Sequence, residues 1–479
     1  MTLTGYNITI DARDYATPVE NPEIVEVIDL VSGQVRLTKA FIAEHRYSEL
    51  VEARVGMREA LRNEQPRHIC AICSTPVYLV ANMHKRFFFR HKTEDGSCPA
   101  KTRGALSEEE IRARKYHGLR ESEAHKRIKQ LIERSLRADS AFETEAIIQE
   151  KRWNSASDPK AWRKPDVQAI SAEGRFAFEA QLSTTFLDVV VGRRMFYREE
   201  GAHLIWVLAS FSESYRRMTT DDLLFSNNSN VFVVDDETTN VSEVTNRFHL
   251  RCHYRVPHCE AGSISDTWRE EIVPFSAVTK EIERQRAYYF DYETEERKRS
   301  EVVDQQLRDE FAAYWAENMT PNAEGDPEHL DRWRAIREDL AERNVAIPDY
   351  PARDNSFRNM MHAVLSALNG HAVGWRFDTL IQCAHHTAER HPENLLAFGF
   401  ALKIGGHEAL LESQDLTGKW KRRREVMRTQ LRQRDPKYVP PAAWIPALSF
   451  LFPEVGARVS AFVQRNGLSI ESEHDVTDI

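Results

Sequence analysis

Residues 163–183 read RKPDVQAISAEGRFAFEAQLS, and the fold of the central part of the chain turns on this stretch. Its second half alternates, so that Phe176, Phe178, Ala180 and Leu182 share one face of a strand while Ala177, Glu179 and Gln181 share the other. Asp166 follows Pro165 at the start of a second short strand, residues 166–170. A hairpin turning through Glu173 and Gly174 brings Asp166 and Glu179 close enough to share a divalent cation. Hard cations such as Mg²⁺ favour carboxylate oxygens, and phosphodiester hydrolysis uses such an ion to activate water and neutralise charge building on the phosphate. A single strand acid is more often a solvated or salt-bridged surface group, so the reading rests on the order of elements around the pair.

The flanking helices point the same way. In the helix expected over residues 184–200, Phe186, Val189, Val190 and Phe196 define an apolar stripe, and Arg193 and Tyr197 fall on it. An inward cation needs a partner, which is either a structural carboxylate, a site carboxylate or a phosphate. Upstream, in a helical pattern over residues 107–138, Glu121, His125, Ile128 and Ile132 recur at spacings of four, three and four, placing an acid and a histidine on the core side. Strands are expected at 142–153, 163–170, 176–182 and 203–209. Helix, three strands, helix, strand is a mixed α/β core.

Cys70 and Cys73 have the Cys-x2-Cys spacing of a zinc knuckle, and His91 and Cys98 complete a Cys₃His set, with His84 and His68 as substitutes. Four protein ligands leave no open position for water, so such a zinc is structural; the competing reading is three buried thiols. Six cysteines in so long a chain are too few for a disulfide framework. Cys252, His253, His258 and Cys259 suggest a second site only superficially, and His385, His386 and His391 read as ordinary helical residues.

A chain of 479 residues implies two to four domains. The expected divisions are an N-terminal α+β segment (1–65), a zinc-ribbon-like module (66–104), the α/β core (105–280), a charged helical connector (281–345) and an all-helical C-terminal region (346–479). The first residues carry Asp11, Arg13 and Asp14 where a secretion signal needs an apolar run, and no apolar stretch is long enough to span a bilayer, so a cytoplasmic address and no membrane partner are expected. A net charge of −9 argues against a generally basic coat, but a phosphate-binding cleft needs only local positive charge. The densest basic run lies at 419–437, where Lys421, Arg422, Arg423, Arg424 and Arg428 surround Trp420; it reads either as a backbone-tracking patch with a stacking aromatic or as a solvated helix face. A second basic group, including Lys126, Arg127 and Lys129, lies on the first core helix.

These residues together resemble the competence-protein CoiA-like family. The resemblance rests on Cys70 and Cys73, Phe89-Arg90-His91, Glu121-Ser122 with His125, the Arg163 to Val167 run, Phe178 to Ser183, Arg193 with Tyr197, and Ile205-Trp206-Val207-Leu208; it covers about residues 66–210. It implies a restriction-endonuclease-like PD-(D/E)xK core with Asp166 and Glu179 as ligands of a catalytic Mg²⁺ or Mn²⁺, and Glu121, His125 and Arg193 beside them. The activity implied is Mg-dependent cleavage of DNA, in DNA processing or defence against foreign DNA, with DNA and a protein of a multi-component system as partners. Gln181 stands where the commoner motif has lysine, and offers only an amide where lysine offers a charge. That departure keeps open a non-catalytic binding module with the same fold, and nothing but the resemblance favours DNA over RNA.

Overall fold

The computed structural model describes residues 10–94, 98–102, 123–181, 187–213, 218–260, 262–319, 327–351, 354–432 and 436–466. Glu121 and Leu182 lie outside the described residues. The chain divides into two units, Met1–Arg299 and Ser300–Ile479.

The first unit opens with a five-stranded antiparallel sheet. Strands β1 (Glu26–Asp29) and β2 (Val35–Leu37) form a hairpin; helices α1 (Thr38–Ala43) and α2 (Tyr47–Arg62) come next, then β3 (His68–Cys70), β4 (Pro76–Ala81) and β5 (Phe87–His91). The order is β2-β1-β3-β4-β5. In α2, Tyr47, Leu50, Val51 and Val55 recur at helical spacing and are buried. The division expected at residue 65 runs through this sheet, because β1 pairs with β3 and sets Val27 opposite Cys70. A strand of three residues cannot stand on its own ladder and borrows partners from earlier in the chain.

The second sheet carries Asp166 and Glu179. Its elements are α3 (Glu123–Ala138), β6 (Ile148–Gln149), the ribbon β7 (Trp153–Asn154) and β8 (Trp162–Arg163), β9 (Val167–Ser171), β10 (Gly174–Gln181), α4 (Leu187–Glu199) and β11 (His203–Leu208). Then come α5 (Met218–Phe225), β12 (Asn230–Val233), α6 (Asp236–Thr245), β13 (His249–Glu260), β14 (Ser263–Pro274) and the hairpin β15 (Thr279–Glu281) and β16 (Arg286–Tyr288). The sheet order is β14-β13-β12-β11-β10-β9-β6. β11 runs parallel to β10 and to β12, and the other pairs are antiparallel. A helix, three antiparallel strands, a helix and a parallel strand are thus present, with three further strands beyond. The strand expected over 142–153 is shorter, since Thr144–Ala146 forms a 3₁₀ turn and only Ile148–Gln149 joins the sheet.

The alternation of β10 sorts its two faces. Phe176, Phe178 and Ala180 pack with Ile128, Leu131, Ile132 and Leu136 of α3 and with Phe142, Phe248 and Phe275, while Ala177 packs with Phe196 and Tyr197 of α4. Each buried phenylalanine contributes roughly 1.5–3 kcal/mol. The expected connector begins inside this unit: Ala287 of β16 lies in the same core, and its N–H donates to Asn227 Oδ1 at 2.7 Å.

In the second unit the described residues hold helices and no strand. The division between units falls within α7 (Tyr292–Asn318). Eight more helices are described: α8 (Pro327–Ala341), α9 (Asn355–Asn369), α10 (Leu380–Arg390), α11 (Leu395–Ile404), α12 (Glu408–Gln414), α13 (Lys419–Arg432), α14 (Ile445–Leu451) and α15 (Pro453–Asn466). Its core joins Trp315, Trp333, Phe357, Met361, Phe398 and Trp420. Among the described residues, no helix is long and apolar enough to cross a membrane.

Candidate functional site

The β9–β10 ladder ends with Val167 opposite Phe178, so the next positions outward set Asp166 beside Glu179. Asp166 Oδ2 accepts the Ala180 N–H at 2.8 Å and lies 3.3 Å from His125 Nε2 on α3. Glu179 is completely buried. Its Oε1 accepts from the Tyr197 hydroxyl at 3.2 Å, and its Oε2 is 2.6 Å from Arg193 Nη1. Arg193 and Tyr197 are one turn apart on α4, so both reach the same strand residue.

The environment splits the two acids. Burial pushes the Glu179 carboxyl up, Arg193 pulls it back and the Asp166 charge pushes it further, leaving it at about 8. Asp166 moves the other way: burial opposes ionisation, but the hydrogen bond and charge of His125 and the Ala180 N–H hold it below the usual carboxylate range. The same contact with Asp166 raises His125 against burial. Two carboxyls side by side in a dry site do not both ionise readily, and a cation between them removes that conflict.

A third acid adjoins the pair. The Glu150 N–H donates to the Asp166 carbonyl at 3.2 Å, and its side chain bridges Lys129 and Lys164. Those two lysines draw Glu150 down to about 2. The sequence groups Lys129 with a basic helix face, yet it is buried; its position one turn beyond His125 is the signal that places it inward. Gln181 ends β10 opposite Leu208 and is half-buried.

The cysteine cluster lies at one end of the N-terminal sheet. The ligand atoms of Cys70, Cys73, His91 and Cys98 all fall within 4.8 Å of one another, an arrangement that could hold a metal ion. Cys70 closes β3, Cys73 lies in the next turn, whose Ser74 takes φ of +58°, and His91 closes β5. His91 Nε2 is 3.4 Å from Cys73 Sγ, while its Nδ1 faces Thr102 Oγ1 at 3.3 Å and Glu94 Oε1 at 3.6 Å. One ring nitrogen therefore turns to the thiols and the other to an orienting oxygen, the division metal-binding histidines use. Sequence spacing does not single out Thr102 or Glu94. His68 instead packs between the rings of Phe41 and Phe89.

Elsewhere the structure redirects the expectations. Trp420 is buried against Phe398 and His385, so it is not available to stack on a base. Arg423 pairs with Glu389 at 2.7 Å and Arg424 with Glu412 at 3.2 Å, whereas Lys421, Arg422 and Arg428 are exposed. Cys252 is buried with its thiol on Asn230 Oδ1 at 3.4 Å, an ordinary core contact. All six cysteines are free of disulfides.

Two family models match the chain. Residues 33–105, which contain the cysteine cluster, match one described as "Domain of unknown function (DUF7830)", and residues 107–293, which contain the carboxylate pair, match "Domain of unknown function (DUF6035)". No curated protein and no solved structure matches the chain.

Proposed function

We propose that the chain is a metal-dependent nuclease with a restriction-endonuclease-like core, hydrolysing phosphodiester bonds of nucleic acid, DNA by its resemblance to the CoiA-like family. The observation that carries this reading is the adjacency of Asp166 and Glu179 at the open end of a hairpin, enclosed by His125, Arg193 and Tyr197. Asp166 and Glu179 would hold Mg²⁺ or Mn²⁺, and the ion when bound supplies an activated water and charge neutralisation at the phosphate. The residues fit that group: they are two hard oxygen donors side by side, and burial raises the Glu179 carboxyl, so that a cation beside the pair would favour its ionised form. Arg193 keeps a positive charge on the pair where Gln181 cannot, and Tyr197 fixes the Glu179 rotamer. The Cys₃His cluster fits zinc as a closed structural site.

A second reading, a nuclease-type fold kept for binding without catalysis, is favoured by Gln181 and by the Arg193 guanidinium that already stands 2.6 Å from Glu179. Cleavage assays separate the two. With Mg²⁺ or Mn²⁺, plasmid, linear DNA and RNA are offered to the parent chain and to Asp166→Ala and Glu179→Ala. The nuclease reading expects cleavage by the parent and at least a roughly 100-fold loss in both variants, with their circular dichroism unchanged. Equal cleavage by all three proteins rejects the assignment, and binding without cleavage by the parent supports the second reading.

A further inference from the structure

The chain between β6 and β9 leaves the second sheet and returns to it at Asp166. On the way β7 and β8 pair as a short ribbon, with Trp153 opposite Arg163 and Asn154 opposite Trp162. Two residue pairs are far too few to hold a ribbon in water, so its position comes from what it rests on. That support is α4. Glu200, just past the helix, accepts from the Ser155 hydroxyl at 2.7 Å and the Ala156 N–H at 2.9 Å. Trp153 is buried with its ring 5.4 Å from that of Tyr197, and the Arg163 guanidinium lies 5.1 Å over Phe196. The helix that aims Arg193 and Tyr197 at Glu179 therefore also fixes the ribbon.

The outer side of the ribbon has a different character. Trp162 is 44% exposed, and the Arg152 guanidinium lies over its ring at 4.7 Å. Lys151, Arg152, Lys160 and Lys164 are exposed along the same segment, Lys164 in an ion pair with Glu150. Residues 151–164 hold five cations against one acid, Asp158, in a chain whose net charge is −9. A local positive field in an acidic protein attracts a polyanion to one place, and an exposed indole beside arginine offers a flat face to a planar ring. Lys164 and Pro165 then lead directly into Asp166.

We infer that this ribbon is a docking surface for single-stranded nucleic acid, with phosphates along Lys151, Arg152 and Lys160 and a base stacked on Trp162. A base inside a duplex has both faces covered by its neighbours, so stacking on Trp162 selects an unpaired strand. Cleavage of the docked strand rests on the nuclease reading; the docking itself does not.

The test is fluorescence anisotropy with the full chain, labelled oligo(dT) and a labelled DNA duplex, with no divalent metal added. The parent is expected to bind the single strand more tightly than the duplex. Trp162→Ala should weaken single-strand binding roughly tenfold and duplex binding little. Joint Lys151→Glu, Arg152→Glu and Lys160→Glu substitution should weaken both and flatten the salt dependence. No binding by the parent, or parent-like binding by both ribbon variants, overturns the inference. A separate Mg²⁺-supplemented cleavage assay of Asp166→Ala keeps the readings apart: loss of cleavage there is expected, and retained cleavage would remove the Asp166 site while leaving the metal-free ribbon result standing.

Discussion

At Glu179 a carboxyl with no exposed surface has its charge set by three neighbours, and Arg193 is the only one of them that brings a positive charge at hydrogen-bond distance. A lysine at position 181 would project from the same strand face, yet Gln181 brings only a dipole there. If phosphate chemistry at this pair needs a fixed cation, α4 supplies it. Arg193→Met should therefore lower kcat for cleavage by roughly 10²–10³, the size seen on removing one electrostatic stabiliser, with a small change in KM. Gln181→Ala should cost less than about tenfold. A larger loss from Gln181→Ala than from Arg193→Met, in single-turnover assays, would show that the amide and not the guanidinium carries the role. Glu150 shows the complementary case: its backbone N–H is bonded to the Asp166 carbonyl, yet its carboxylate is held by two lysines, so proximity alone does not make it a ligand.

At the scale of elements, the β9–β10 hairpin is legible in the sequence because its alternation runs for seven residues and because a turn glycine comes after Glu173; Gly174 takes φ of +123°. The helices beside it are legible from their apolar spacing, and that spacing also puts His125, Arg193 and Tyr197 on the inner side. Of the N-terminal sheet, the hairpin over residues 26–37 is legible from the turn at Ser32 and Gly33, but its joining to the later strands is not, since β3 has only three residues and the pairing of β1 with β3 joins segments separated by two helices. For the same reason the oxygens behind His91 are invisible in the sequence: Thr102 is brought to the ring by a loop. Thr102→Val keeps the side-chain shape but removes the nearer of the two oxygens at Nδ1, loosening the hold on the ring. It should weaken zinc binding by roughly 10–100-fold in competition with a chromophoric chelator, with Cys73→Ser as the deeper loss. Unchanged zinc affinity in Thr102→Val would mean that backbone packing alone fixes the imidazole.

At the scale of the whole molecule, a run of like charge in sequence does not by itself make a surface patch. Arg423 and Arg424, the centre of the densest basic run, face Glu389 and Glu412, and the tryptophan beside them completes a core. Histidines obey the same rule. His362 of α9 is buried, and its Nδ1 accepts from Trp315 Nε1 at 3.1 Å. Burial, reinforced by Arg358, His391 and His386, pushes it down to about 3. As pH falls below the ordinary histidine value, unfolded chains take up this proton while the folded unit refuses it until about pH 3. The unfolded state thus binds more protons in that window, and stability rises with pH across it. The second unit should lose roughly 3–5 kcal/mol between pH 7 and pH 3 from this residue, with most of the decline developing below pH 6. His362→Gln offers Trp315 an acceptor that does not titrate, so its stability should fall less steeply. Hydrogen exchange of the 355–369 amides, compared between pH 7 and pH 4.5 after correction for intrinsic rates, reads the difference. Equal acid sensitivity in parent and variant would place the proton uptake at another group.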